Sequence, residues 1–147
     1  MNPNADIIRA LIIGAGLGSA SGSWPVFVGF LPDRPDNAIL VMDTAGKLDG
    51  RIMRTGEQIA KPGIQVRLRS LDYAVAQLKA KQIALMLDSQ MRSEVSLDGM
   101  APADLDGIYT IHNISRSGDI LPMGVEEGDR PRHHFSVNAM VTVSKNE

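Results

Sequence analysis

Three stretches of this chain carry residue types that could do chemistry. Gly14-Ala15-Gly16-Leu17-Gly18-Ser19 follows the apolar triplet Leu11-Ile12-Ile13 and has the spacing that opens a dinucleotide fingerprint. That chemistry needs a strand, a tight glycine turn and then a helix whose N-terminus receives the pyrophosphate. Ser19 stands at the third glycine position, and Trp24-Pro25 follows too soon for a receiving helix. The sequence therefore predicts a flexible loop here. Gly18-Ser19-Ala20-Ser21-Gly22 nearly matches the frame of a nucleophile elbow, but Ala20 occupies the nucleophile position, which excludes serine hydrolysis. His133 and His134 are adjacent; on one strand they point to opposite faces and cannot share a metal. In the preceding loop they could, but no third ligand has a recognisable spacing, and His112 stands apart.

The carboxylates Asp33, Asp36, Asp43, Asp49, Glu126, Glu127 and Asp129 lie among prolines and glycines. Acid–base work needs a pocket that drives two pKa values apart; these neighbours predict solvated turns instead. Arg67 and Arg69 alternate with apolar residues and so share the exposed face of a strand, where they could meet phosphate. With a net charge of −2, carboxylates of a neighbouring subunit are the better partners. No catalytic residue, cofactor site or metal ligand is nominated.

The elements that would position these groups follow from the pattern. Asn4 can cap a helix that carries Asp6 in its first turn and Ile7, Ile8, Leu11 and Ile12 on one stripe, stopping near Gly14. Residues 14–23 read as loop. Val26 to Leu31 and Ala38 to Met42 are strand-length apolar runs around the turn Pro32 to Asn37. Six residues are too few for a crossover, so the two should pair antiparallel. Asp43 to Lys61 reads as a polar, partly mobile loop. Ile64, Val66 and Leu68 alternate with Gln65, Arg67 and Arg69 in a third strand. Ser70 should cap a helix running to about Leu87, with Tyr73, Ala76, Ala80, Ile83 and Leu87 on its inner stripe, Val75, Leu78 and Met86 flanking it, and Lys79, Lys81 and Gln82 wet. Glu94 to Leu97 could be a short strand, Gly107 to Ser115 alternates as one, and Arg116 to Arg132 reads as a long loop. His133 to Ser144 has the cleanest alternation, with Phe135, Val137, Ala139, Val141 and Val143 on one face. The expected fold is α+β: one mainly antiparallel sheet of four to five strands with helices packed on one face.

The totals narrow the class. A chain of 147 residues is expected to form one domain, with residues 1–23 as an N-terminal helix and flexible loop. With 15 basic and 17 acidic residues there is no basic footprint for nucleic acid. Cysteine is absent, which removes disulfides and thiolate zinc sites. No apolar run reaches the ~18 residues of a membrane span. Ala10 to Ser21 imitates a secretion signal, but Asp6 offsets Arg9 ahead of it and three glycines interrupt it.

Gly29 to Ile39 (GFLPDRPDNAI), Val41 to Gly46 (VMDTAG), Pro62 to Ile83 (PGIQVRLRSLDYAVAQLKAKQI) and Phe135 to Val143 (FSVNAMVTV) together resemble the tail-terminator proteins of long-tailed bacteriophages, also labelled tail-completion or minor capsid proteins. The likeness covers about half of the chain and is a pattern of turns and strands, not a catalytic signature. It implies a structural virion protein, assembled in the host cytoplasm, that forms a homo-oligomer, a hexameric ring on the last ring of the tail tube. Its partners would be the tail tube protein and the head–tail connector. It implies no enzyme activity and no cofactor. Pro32, Asp33, Arg34, Asp36, Arg67, Arg69, Arg130 and Arg132 are the candidate interface residues. Closing a ring needs two complementary surfaces per subunit and no reaction centre. Other readings are a different neck or head–tail adaptor component, or a small nucleotide binder or enzyme using the Gly14 loop.

Overall fold

The computed structural model describes residues 3–51, 53–56, 58–100, 105–128 and 130–146. The elements run α1 (Asn4–Gly14), β1 (Val26–Val28), β2 (Ala38–Arg51), β3 (Gln58–Ser70), α2 (Tyr73–Asp88), β4 (Met91–Ser96), β5 (Ile108–Arg116), β6 (Leu121–Val125) and β7 (His133–Lys145). The α+β class holds, but the sheet has seven strands, not four or five. It is mixed and curls strongly into a half-barrel in the order β1-β2-β3-β7-β5-β4, with β6 on β7.

The alternation in β3 and β7 sets the centre. Ile64, Val66 and Leu68 pair with Ala139, Val137 and Phe135, and all six are buried. Both helices complete the same core, α1 through Ala5, Ile7, Ile8 and Ile12, α2 through Ala76, Ala80, Ile83, Ala84 and Leu87. Alanine at three of the five positions lets α2 lie close to the sheet. Tyr73 belongs to the expected stripe yet is half exposed; its ring meets Phe135 and His133 edge-on, at 5.0 and 5.4 Å between centroids. Val75 and Leu78, expected to flank the inner stripe, face outward.

Several boundaries differ for local reasons. The helix α1 begins one residue early, because Pro3 presents its carbonyl to the amides of Asp6 and Ile7. Asn4 does not cap it. Instead Asp43, read as a solvated loop residue, accepts from the Ala5 amide at 3.0 Å and satisfies that helix end from across the chain. The cap of α2 is Asp72, accepting from the amides of Ala74 and Val75, rather than Ser70. Strand β1 is three residues long and pairs with β2 in parallel, Val26 opposite Ile39. The antiparallel expectation assumed that the strand ran to Leu31. Gly29 has φ of +78° and ends it, leaving residues 29–37 to retrace only ~10 Å of strand.

Residues 43–51 and 58–61 are strand rather than loop. β2 and β3 continue as a two-stranded arm paired as far as Arg51 and Gln58. The strands cross closely at Gly46 and Gly63: a side chain on Gly46 would lie 2.1 Å from the Lys61 carbonyl oxygen. Within 116–132, β6 was missed because Pro122 and Gly124 punctuate it. An edge strand with one neighbour tolerates both, and a bulge between them absorbs the irregularity.

Candidate functional site

Leu68 faces the core, so Arg69 must emerge on the opposite side of the sheet, and the sequence placed it in solvent. It is 2% exposed. The turn Pro32 to Asn37 folds over it, and its guanidinium donates to the main-chain oxygens of Pro35 and Asp36. The Arg34–Pro35 peptide in that turn is cis.

Register carries the arrangement onward. Arg69 sits opposite His134 on β7, and the chain entering β7 brings Arg130 and Arg132 to the same turn. Arg130 spans Asp36 at 2.8 Å and Asp33 at 3.1 Å. Arg132, with a side chain 8% exposed, holds Asp33 Oδ1 at 2.9 Å and Glu126 Oε2 at 2.6 Å, and donates also to the Asp33 carbonyl. His134 Nε2 completes the group 2.5 Å from Glu126 Oε1. The result is a clasp: the arginines pin the 32–37 turn and the end of β6 across the outer face of the sheet.

Five of the eight nominated interface residues therefore converge, Asp33, Asp36, Arg69, Arg130 and Arg132, but they bind one another inside a single chain. Pro32 is partly covered and Arg34 is exposed. Arg67 lies apart on the outer face. Its Nη2 donates to Gln65, which donates to Asn138 at 3.0 Å. Its Nε is buried without a partner, and no carboxylate among the described residues pairs with it. The sequence puts Glu126 in a solvated turn, His134 on a strand and Arg69 on an exposed face; their convergence with Arg132 and the 32–37 turn is not visible there, because nothing in the 116–132 pattern announces a strand returning to β7.

The electrostatics set an acid limit. Arg132, by hydrogen bond and then by charge, holds the Asp33 carboxyl below the ordinary range. Burial pushes Glu126 upward, but hydrogen bonds from Arg132 and His134 outweigh it and leave Glu126 lowered as well. Both carboxylates are thus depressed on folding, so their contribution is full above the ordinary carboxylate range and lost as pH falls through the depressed values. We expect the melting temperature to drop between about pH 5 and pH 3. Glu126→Gln should lower it at neutral pH while flattening that drop, which thermal melts across pH will check.

The glycine loop is braced rather than free. Leu11-Ile12-Ile13 are helical, so a helix precedes the glycines and strand β1 follows them, the reverse of a nucleotide-binding turn. Ser19 Oγ donates to the Ser23 carbonyl and accepts from the Gly22 amide. Lys79, expected to be wet, donates to the Leu17 carbonyl at 3.1 Å and lies over the Trp24 ring; burial lowers its pKa. His133 and His134 do point to opposite faces, one to Tyr73 and the other to Glu126. No group of three His, Asp or Glu among the described residues could hold a metal ion.

Two surfaces remain conspicuous. The described side chains at the ends of the arm are exposed, with Met53 fully exposed at its tip. The outer side of α2 shows Leu78 and Leu85, close to a groove of about 280 Å³ floored by Ala84, Ile120, Pro122 and Phe135.

No curated protein matches the chain. The family described as bacteriophage tail terminator protein, which is structural and not catalytic, matches residues 11–138. That span takes in β1 to β6 and β7 as far as Asn138, with its pairing to Gln65 through Ser70 of β3. By this match over most of its length, the chain belongs to the bacteriophage tail terminator family.

Proposed function

We propose that the protein forms a ring, six subunits in the reading its family suggests, on the last ring of the tail tube. There it ends tube polymerisation and offers a surface to the head connector, as part of the virion at the head–tail joint. The match across residues 11–138 carries this reading. The shape supports it: the arm and the exposed outer side of α2 are distinct surfaces on one subunit, as a closed ring requires. The clasp supplies rigidity, fixing the 32–37 turn so that Arg34 stands on a defined edge for docking.

Particles made without this protein should carry tails of uncontrolled length or tails unattached to heads, seen by electron microscopy. Normal-length, head-joined tails in its absence would reject the assignment. The 116–132 segment is a poor place for a loop deletion in such work. β6 and Arg132 lie within it, and shortening it would strip the clasp along with any docking surface.

A further inference from the structure

The sheet has two unfinished ends. At one end β1 covers only Ile39 to Val41 of β2, so the outer edge of β2 from Met42 to Arg51 has no neighbouring strand among the described residues. At the other end β4 is terminal and pairs only with β5. Beside β4 runs a groove of about 370 Å³ between Ala10, Leu11 and Ala15 of the α1 end and Ser93 to Ser96. Glu94 is its one charged lining residue. A slot between a helix and an open strand edge accepts an added strand, with main-chain hydrogen bonds on one side and apolar contacts on the other. Arg92 has φ of +56° and leaves the ladder, so Ser93 to Ser96 offer ~13 Å of regular edge; β2 from Met42 to Arg51 is longer, with irregularities after Thr44 and Leu48.

We infer that the β2–β3 arm of one copy lies in the α1–β4 slot of the next, continuing the sheet from subunit to subunit. The occupant is a second copy of this chain, and the inference rests on the ring reading above. A two-stranded hairpin is marginal alone in water, so an arm of this length needs a third strand beside it. Charge is compatible: from Lys47 to Glu57 the sequence carries three basic residues against the acidic Asp49 and Glu57, a net +1, and the slot presents Glu94. The other grooves fit less well. One lies at the arm's own root, lined by Thr44, Gly46 and Gly63, and the α2 groove runs beside β6, a five-residue edge strand in which Pro122 has no amide to donate and a bulge follows. Arm and slot are different surfaces, so the contact runs head to tail and closes on itself only as a ring.

Two blocked chains test this. Ala15→Trp fills the slot at an exposed position; replacing Leu48–Ala60 by Gly-Gly removes the arm. The wild type should be a closed oligomer by mass and each variant alone a monomer. An equimolar mixture should give a dimer that grows no further, because it holds one working arm and one working slot. Variants that still form the wild-type oligomer would overturn the arm-to-slot contact and leave the ring standing. A wild type that stays monomeric at high concentration would remove both. Should the armless chain fail to fold, the absence of native cysteine gives a second route. Arg51→Cys and Ser96→Cys on separate chains, mixed with a bismaleimide, should yield a covalent heterodimer; no cross-link at assembling concentrations would refute the contact.

Discussion

The Ile83→Asp chain should fail to fold. Ile83 is 0% exposed on the inner side of α2, in the core shared with Val66, Leu68 and Val137. The substitution forfeits about 2–3 kcal/mol of apolar burial. It also places a carboxyl where no donor reaches it, which costs several kcal/mol more whether the group ionises or stays protonated. The sum rivals the ~5–15 kcal/mol that holds a whole domain together. The control is two residues away. Leu85 is 60% exposed, and Leu85→Asp should change stability by no more than about 0.5 kcal/mol. Soluble yield and circular-dichroism melts compare the two directly. A cooperative transition for Ile83→Asp near that of the wild type would mean that α2 does not pack as described.

That contrast also shows what the sequence could and could not reveal. The stripe Ala76, Ala80, Ile83, Leu87 is legible because a helix with one buried face repeats every three or four residues, and the structure adds Ala84 to it. The alternation of β7 is legible for the matching reason, a strand with one core face. β6 was not legible: Leu121-Pro122-Met123-Gly124-Val125 has the residues of a loop, and only the adjacent edge of β7 makes it a strand. The arm was hidden similarly. Its described residues from Asp43 to Gly46 and at Arg51 meet solvent, no apolar alternation marks 43–61, and its pairing comes from the backbone. Arg69 was misplaced because alternation gives the face of a sheet and not what covers that face. The family resemblance is independent of these differences, since each of the runs that carries it, Gly29 to Ile39, Val41 to Gly46, Pro62 to Ile83 and Phe135 to Val143, is local in sequence.

Removing Arg132 should be the most damaging change outside the core. Its guanidinium ties the entry to β7 on which it sits to the end of β6, six residues back through Glu126, and to the 32–37 turn, 99 residues back through Asp33. With Arg132→Ala, Glu126 keeps only His134, and the Asp33 carbonyl loses a donor. Truncating one partner of a fully buried pair costs ~3–5 kcal/mol. Here the carboxylates are 72% and 35% exposed and water recovers part of that loss, so we expect about 2–3 kcal/mol. For a chain of this size that lowers the melting temperature by roughly 5–10 °C. Arg132→Lys retains the charge but cannot present two donors in one plane, and should recover less than half of the difference. The decisive measurement is a double-mutant cycle. If Arg132 acts through Glu126, Arg132→Ala should cost much less in a Glu126→Gln background than in the wild type. Strict additivity would show that Arg132 does not act through Glu126 and would leave Asp33 as the partner on which its contribution rests.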